Sequence, residues 1–409
     1  MRINPAIFRA YDIRGIYPSQ LNAEVARRVG FAFTEFIKQR FRTKKPQVMV
    51  ARDVRESSIP LRQGLVEGII GAGFKLFMRG GQEIGLNNGL RSIRGLARQA
   101  KLAASAEIGH LIPAEGEAAR YVKRLQALMP RLGPLRALVD AAGGSAAYIL
   151  PKLLTPYHIN YKPLYFDPDP LFRNHEPNPL SPRVAEIIRQ EFQRGKFQLG
   201  VVFDGDGDRA EFFDERGHPI RTDIIFALLA AEELKKKQGA HFVFELTHSR
   251  FLGPFIEAYG GKLFVSKVGG IHVRREMERT GAVLGGELSG HIYYKKLLGT
   301  DSALYSMLRV FSLVSKAVRP LSELARQHTS GVFLQVSIKH NAPRRALEAV
   351  LKQYRPHLAS RLDGITVQYP SWWFNIRMSN TEPLLRLTIE AGSESELKAR
   401  RREVEGLIA

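Results

Sequence analysis

The sequence contains no cysteine among its 409 residues. Disulfide bonds, thiolate metal sites and cysteine nucleophiles are therefore excluded, and this composition fits a reducing compartment. Long apolar runs are also absent, since none reaches the roughly 18 residues that a membrane span needs. Residues 1–5 contain no apolar signal core. We therefore expect a cytoplasmic protein with no membrane segment.

Basic residues clearly outnumber acidic ones and give the chain a net charge of +21. Such an excess favours polyanionic partners, so a basic protein that binds nucleic acid through its charge is one alternative function. The basic residues are scattered, however, and no zinc finger, helix-turn-helix or aromatic RNA-binding motif is present. A solvated surface or an anionic small substrate explains the charge equally well. Nucleic acid is therefore not expected to be the main partner.

Short β-rich runs alternate with helical patterns, which is typical of βαβ units. The first unit contains predicted strands at residues 47–51 and 74–78. Similar units follow, with predicted strands at 199–203 and 241–245, and the pattern changes near residue 331. A chain of this length is also too long for one hydrophobic core. We predict three related mixed α/β domains, residues 1–133, 134–238 and 239–330, and a smaller C-terminal α+β domain, residues 331–409.

The strongest chemical signal is an acidic loop that follows the predicted strand 199–203. Asp204, Asp206 and Asp208 alternate with glycines, which allow the backbone to turn tightly so that the carboxylates converge. Three hard oxygen ligands suit Mg²⁺ better than zinc. A calcium EF-hand loop would need glycine at its sixth position, where this chain has Arg209. The remaining alternative to a magnesium site is a solvated acidic turn.

Two further loops have compositions that suit sugar phosphates. Residues 377–386 contain two guanidinium groups, two hydroxyl groups and an amide, a combination that favours phosphate binding. A polar turn between strands is the alternative there. Residues 285–291 read Gly-Gly-Glu-Leu-Ser-Gly-His, in which the glutamate and the serine are able to bind sugar hydroxyls. Taken alone, that segment fits an ordinary turn as well.

Together these segments resemble the α-D-phosphohexomutases, and among them the phosphomannomutase/phosphoglucomutase group. The resemblance begins at residues 8–15, Phe-Arg-Ala-Tyr-Asp-Ile-Arg-Gly, and continues through residues 51–58 and 175–179. The acidic loop and the two sugar-phosphate loops then follow in the family order. Asn380 is similar to the mannose/glucose group, because the glucosamine mutases more often carry glycine there.

The resemblance implies a heart-shaped, four-domain enzyme with a central cleft, which interconverts hexose 1-phosphates and 6-phosphates through a phosphoserine and a hexose 1,6-bisphosphate intermediate. The preferred hexose, mannose or glucose, is left open. By motif, Asp204, Asp206 and Asp208 hold Mg²⁺, which neutralises the transferring phosphoryl group. The other implied site residues are Arg209, Tyr11 and Arg14 at the reacting phosphate, Glu287, Ser289 and Lys267 at the sugar, and Arg377, Ser379, Asn380, Thr381 and Arg386 at the non-reacting phosphate.

The sequence departs from the family at the expected nucleophile. No Thr-(Ala/Gly)-Ser-His-Asn-Pro segment is present, and residues 74–80 lead directly into residues 82–86, which resemble what normally follows that loop. Ser57, Ser58 and Ser105 are not expected to replace it. The segment 267–270 also ends in Gly270, where the family usually has histidine. The main hypothesis is therefore a phosphohexomutase homologue, and the alternative is a sugar-phosphate-binding pseudoenzyme.

Overall fold

The structure is a computed structural model that describes residues 3–9, 12–42, 48–68, 77–78, 82–83, 89–99, 116–129, 132–157, 159–326, 331–379 and 384–408. The chain divides into two compact units, residues 1–219 with 302–318, and residues 220–301 with 319–409. Within the described ranges, no helix combines the length and the apolar character that a membrane span requires.

Helices and strands alternate through most of the described chain. The helices are α1 (Ala23–Phe41), α2 (Ser58–Glu67), α3 (Arg91–Gln99), α4 (Glu117–Ala127), α5 (Leu150–Leu154), α6 (Pro182–Arg194), α7 (Thr222–Lys236), α8 (Leu252–Ala258), α9 (Gly270–Thr280), α10 (Ala303–Lys316), α11 (Leu321–Arg326), α12 (Pro343–Tyr354) and α13 (Glu394–Leu407). The strands are β1 (Phe77–Met78), β2 (Gln82–Glu83), β3 (Arg136–Asp140), β4 (Asn160–Leu164), β5 (Leu199–Phe203), β6 (Ala210–Phe213), β7 (Pro219–Ile220), β8 (His241–Glu245), β9 (Lys262–Ser266), β10 (Leu284–Gly286), β11 (Ile292–Tyr294), β12 (Thr300–Asp301), β13 (Val332–Lys339), β14 (Leu358–Ser360), β15 (Ile365–Gln368), β16 (Trp372–Met378) and β17 (Leu384–Ala391).

The N-terminal region is held together by α1, α2 and α3, whose apolar faces share one buried core. Asn22 caps α1 by accepting a hydrogen bond from the backbone of Val25 at 3.1 Å. The strand predicted at residues 47–51 is wrong for its described part, since residues 48–51 form no strand. A strand needs a hydrogen-bonded neighbour, and the described strands of this region, β1 and β2, pair with each other instead.

Two five-stranded sheets share one topology. Sheet A has the order β4-β3-β5-β6-β7, and sheet B has the order β9-β8-β10-β11-β12. In each, the first three strands along the chain are parallel and the fourth is antiparallel. The predictions of strands at 199–203 and 241–245 coincide with β5 and β8. Loops that follow β5 and β10 therefore occupy equivalent positions, at the carboxyl edge where α/β sheets bind ligands.

The C-terminal region is a five-stranded antiparallel sheet, sheet C, with the order β13-β17-β16-β15-β14. The helices α12 and α13 contribute to one buried core with the sheet. The sequence pattern predicts no strand at β16, and the motif at residues 377–386, interpreted as a loop, contains only the last two residues of that strand. The motif instead spans the end of β16 and the start of β17. The predicted α/β architecture with a smaller C-terminal α+β domain is confirmed.

Candidate active site

The acidic loop, residues 204–209, connects β5 to β6 at the carboxyl edge of sheet A. Every residue of β5 is buried, which anchors the start of the loop in the interior. Asp204 is buried, Asp206 is exposed and Asp208 is half-buried. One oxygen atom from each carboxylate lies within 4.8 Å of the others. The structure therefore brings together the three aspartates that the sequence proposed as metal ligands.

Asp204 shapes this loop by binding its backbone. Its Oδ1 atom accepts hydrogen bonds from the N–H groups of Gly207, Asp208 and Arg209 at 2.9, 3.1 and 3.2 Å. Its Oδ2 atom accepts a hydrogen bond from Arg209 Nε at 2.8 Å. Gly207 has a φ of 82°, a left-handed conformation that favours glycine. The glycine thus lets the backbone turn back toward the carboxylate.

The electrostatics of the acidic loop favour a cation. Burial raises the pKa of Asp204 to about 7, the charges of Asp208 and Asp206 raise it too, and Arg209 opposes the rise. Carboxylates this close repel one another unless positive charge lies among them. Their oxygen atoms are the hard ligands that Mg²⁺ prefers. The donor set therefore fits that ion.

The acidic loop is braced by the turn that follows β3. Ser145 donates a backbone hydrogen bond to the carbonyl of Gly205 at 2.9 Å. At the end of β3, the buried carboxylate of Asp140 lies 3.2 Å from Nε2 of the buried His175. Burial alone would lower the pKa of His175, but the hydrogen bond and the charge of Asp140 raise it. This contact ties the family-like segment 175–179 to the same edge of sheet A.

The candidate sugar loop, residues 287–291, connects β10 to β11 and is the counterpart of the acidic loop in sheet B. Glu287 is buried, and its Oε2 atom accepts a hydrogen bond from the Tyr293 hydroxyl at 2.7 Å. The Nδ1 atom of His291 lies 3.2 Å from Glu287 Oε2 and 2.8 Å from Ser289 Oγ. The structure thus groups Glu287 and Ser289, both predicted, around His291, to which the sequence analysis gave no role.

A further buried carboxylate, Glu245, contacts this loop and was missed by the sequence analysis. Its Oε1 atom accepts hydrogen bonds from the backbone N–H of Leu288 at 3.0 Å and from Thr247 Oγ1 at 2.8 Å. Burial raises the pKa of Glu245 to about 7, the charge of Glu287 adds to the rise, and Arg377 opposes it. The only sequence signal is that Glu245 ends a predicted buried strand.

The candidate phosphate site contains two arginines on neighbouring strands. Arg377 on β16 is the direct cross-strand partner of Arg386 on β17. Like charges in such a pair destabilise a sheet unless an anion or a polar group compensates them. Arg386 binds the hydroxyl of Ser337. Among the described residues, Arg377 Nε is buried with no hydrogen-bond partner. Ser379 closes the end of the hairpin through a 2.8 Å backbone bond to Leu384.

Lys267 follows β9 and is exposed at the carboxyl edge of sheet B. The adjacent Val268 donates its N–H to Asp363 Oδ2 at 3.2 Å, which joins this segment to the C-terminal region. His272 lies in α9, two residues beyond the position where the family usually has histidine. Burial, and then the charge of Lys267, lower the pKa of His272. The imidazole is therefore held in a neutral form near neutral pH.

The remaining predicted residues lie in the N-terminal region or outside the described residues. Arg14 is exposed and pairs with Asp12 at 2.8 Å. Ser57 occupies the N-cap position of α2 without a side-chain capping bond, and Ser58 is buried and hydrogen-bonded to Asp53. The residues outside the described part of the chain are Tyr11, Ser105, Asn380 and Thr381.

Four family models match successive parts of the chain. They are the phosphoglucomutase/phosphomannomutase alpha/beta/alpha domains I, II and III, at residues 5–83, 119–217 and 221–331, and the C-terminal domain of the same family, at residues 341–407. The chain belongs to the phosphoglucomutase/phosphomannomutase family.

Individual relatives agree with this family assignment. A phosphomannomutase/phosphoglucomutase from Pseudomonas aeruginosa is 28% identical over 442 residues, covering 96% of this chain and 93% of the relative. A phosphomannomutase from Methanocaldococcus jannaschii is 28% identical, covering 98% and 97%. A family protein from Burkholderia thailandensis superposes with a TM-score of 0.84 at 26% identity, covering 99% and 97%. The chain is thus a homologue of phosphohexose mutases.

One alignment also shows that a relative contains residues that this chain lacks. The alignment with the Pseudomonas aeruginosa relative spans 442 positions, whereas this chain has 409 residues in all, so the relative carries residues with no counterpart here. The match to domain I ends at residue 83. Only residues 79–81 separate β1 from β2, where Met78 pairs with Gln82. None of the relatives described above is named as an inactive protein, so the comparisons give no support to the pseudoenzyme hypothesis.

Proposed function

We propose that this chain binds Mg²⁺ and hexose phosphates and interconverts hexose 1-phosphate and hexose 6-phosphate. The observation that carries the proposal is the convergence of Asp204, Asp206 and Asp208 on one loop, at the sheet edge where α/β domains bind ligands. Bound Mg²⁺ would neutralise charge on the transferring phosphoryl group. Arg209, which is ion-paired with Asp204, would add a guanidinium beside that group.

The second unit supplies the proposed sugar and phosphate contacts. Arg377 and Arg386 face each other across β16 and β17, and a phosphate dianion would offset their repulsion. Ser379, Asn380 and Thr381 are proposed to hold the same non-reacting phosphate.

The sugar end is proposed to use a second set of residues. Glu287 and Ser289 are proposed to bind sugar hydroxyls, with Lys267 at the same sheet edge. Tyr11 and Arg14 are proposed to act at the reacting phosphate. Hexose 1,6-bisphosphate is the proposed intermediate and activator.

A second candidate function is sugar-phosphate binding without turnover. The observation that favours it is the lack of a Ser-His-Asn-Pro segment anywhere in the sequence. Ser58, one of the serines considered as a replacement nucleophile, is buried and hydrogen-bonded to Asp53. A binding-only protein would retain the phosphate and sugar contacts and lose the phosphoryl donor.

Calorimetry and a turnover assay separate the two candidates. Glucose 1-phosphate and mannose 1-phosphate are titrated with Mg²⁺, and conversion to the 6-phosphates is followed with and without hexose 1,6-bisphosphate. Turnover supports the mutase, binding without turnover supports the second candidate, and no binding of either sugar refutes both. Asp206→Asn should weaken Mg²⁺ binding at least tenfold, because it removes one of three anionic ligands.

The control for this substitution is Glu186→Gln, which changes an exposed carboxylate on α6. The proposal also expects Mg²⁺ to bind more tightly when glucose 1,6-bisphosphate is present, because the ligand adds phosphate oxygens near the cation. Equal Mg²⁺ affinity with and without the bisphosphate would mean that its phosphate does not reach the metal.

A further inference from the structure

We infer that Glu245 is a positioning residue for the candidate sugar loop, residues 287–291, and that it sets where Glu287 meets the sugar. Glu245 is the last residue of β8, the strand that pairs with β10, from which the loop emerges. It belongs to no motif of the sequence analysis. The inference rests on the proposed function, since it concerns how the same loop is presented to a hexose.

The peptide groups of Leu288, in the middle of this loop, are held from two directions. Its N–H donates to Glu245 Oε1 at 3.0 Å, and its carbonyl accepts a hydrogen bond from Thr222 Oγ1 at 3.3 Å. Both partners lie outside the loop and are buried, on β8 and at the start of α7. The backbone that separates Glu287 from Ser289 is therefore fixed in position and in rotation.

The side chains on either side of Leu288 depend on this fixation. Glu287 is held by the Tyr293 hydroxyl, and Ser289 is hydrogen-bonded to His291. Gly290, with a φ of 100°, allows the loop to turn back into β11. A displacement of the Leu288 peptide would move both predicted sugar contacts. Misplacement by about 1 Å is enough to lose much of a positioned interaction.

Sheet A offers a comparison, because its loop at the same edge is also braced from outside the loop. There the loop after β5 is held by Ser145, whose N–H donates to the carbonyl of Gly205. Asp140, which ends β3 as Glu245 ends β8, instead accepts hydrogen bonds from Ala142 and His175. In sheet B, the loop is therefore braced by the carboxylate of Glu245 at the end of the first strand. In sheet A, the backbone N–H of Ser145 braces the corresponding loop.

Glu245 braces the loop through an acceptor oxygen, which a neutral amide of the same shape also supplies. Glu245 is 4% exposed, and its charge lies near the like charge of Glu287, with Arg377 as the compensating cation. Burial of such a carboxylate is costly. Glu245→Gln retains the acceptor oxygen for the Leu288 N–H and removes the charge. It therefore tests whether the acceptor alone is sufficient to position the loop.

The experiment compares the affinities of glucose 1-phosphate and inorganic phosphate by calorimetry in the full chain. Glu245→Ala should weaken glucose 1-phosphate binding about tenfold or more and change inorganic phosphate binding less than threefold. Glu245→Gln should restore glucose 1-phosphate binding to within threefold of the parent. Parallel losses for both ligands, or equal damage by the two substitutions, would overturn the inference.

Thr222→Val is the second variant, in case Glu245→Ala does not fold. It removes the donor to the Leu288 carbonyl and should weaken glucose 1-phosphate binding about threefold, whereas the matched control Thr280→Val, on α9, should not. If the parent chain binds no hexose phosphate, the proposed function has failed. Hydrogen exchange of the Leu288 amide then decides the inference, which requires at least tenfold faster exchange in Glu245→Ala than in Glu245→Gln.

Discussion

Glu390 on β17 is a buried carboxylate whose removal should destabilise the second unit strongly. It is 4% exposed and accepts hydrogen bonds from the hydroxyl of Ser249, from Arg250 N at 3.0 Å and from Trp373 Nε1 at 2.6 Å. Glu390→Ala leaves three donors without this acceptor. Each unsatisfied buried donor costs about 1–3 kcal/mol, so the free energy of unfolding should fall by roughly 3–9 kcal/mol.

The substitution Glu390→Gln should have a smaller effect, because it keeps one acceptor oxygen but loses the charge and places an amide N–H against the donors. We expect a loss of about 2 kcal/mol. Denaturant unfolding at pH 7 measures both variants, with Glu394→Gln, an exposed carboxylate on α13, as the control near zero. A loss below about 3 kcal/mol for Glu390→Ala, or one no larger than the loss for Glu390→Gln, would refute the reasoning.

The pH dependence of the free energy of unfolding of the same variants tests the electrostatic contribution of Glu390. Burial tends to raise the pKa of Glu390, but hydrogen bonds from Ser249, Arg250 and Trp373 outweigh it and hold the pKa below its ordinary value of 4.5. The folded protein therefore releases a proton that the unfolded chain still binds, and the charged carboxylate contributes stability above pH 4.5. This contribution is lost as the pH falls through the pKa of the folded state. The difference in the free energy of unfolding between the parent and Glu390→Gln should therefore become smaller in acid.

Three further predictions concern other parts of the chain. Burial, and then the charge of Glu287, raise the pKa of Glu245 from 4.5 to about 7. Between these two pH values the folded state holds a proton that the unfolded state has released, so stability should fall as the pH rises from 4.5 to 7. At about 1.4 kcal/mol for each pH unit the effect is about 3 kcal/mol, so Glu245→Gln should raise the melting temperature at pH 8 more than at pH 5. Gly64→Val should cost at least about 2 kcal/mol in denaturant unfolding, because its side chain would overlap the backbone of α1, whereas Gly95→Ala, in open space on α3, should stabilise by about 0.5–1 kcal/mol. Arg377→Gln should weaken inorganic phosphate binding about tenfold in calorimetry, since one of two facing guanidinium groups is lost, and an equal affinity would argue against a phosphate site at Arg377 and Arg386.

The metal-binding chemistry of the acidic loop could be predicted from the sequence, because its ligand residues lie close together in the chain. Three aspartates separated by glycines after an apolar run predict converging oxygen ligands without knowledge of any distant residue. The different roles of the three aspartates could not be predicted in this way. Asp204 is buried and organises the loop, whereas Asp206 is exposed. That difference depends on the packing of β5 inside sheet A and on the brace from Ser145, both of which arise from other parts of the chain.

The predicted strand at residues 47–51 shows where prediction from local composition fails. Its composition favours a strand, but a strand exists only with a hydrogen-bonded neighbour, and residues 48–51 have none among the described residues. The described strands of this region, β1 and β2, pair with each other. Local propensity therefore predicted a strand for which the described residues of the region supply no partner.

Contacts between distant residues could not be predicted from the sequence, because they depend on strand register and on burial. Local patterns predicted the order of the domains, the strands β5 and β8, and the family-like loops, since each depends on residues close together in the chain. It did not place Arg377 opposite Arg386, because cross-strand partners are set by the pairing of β16 with β17. It also did not identify Glu245, whose partner Leu288 is 43 residues away. Such contacts depend on the meeting of separate elements in space, for which a single sequence contains no local pattern.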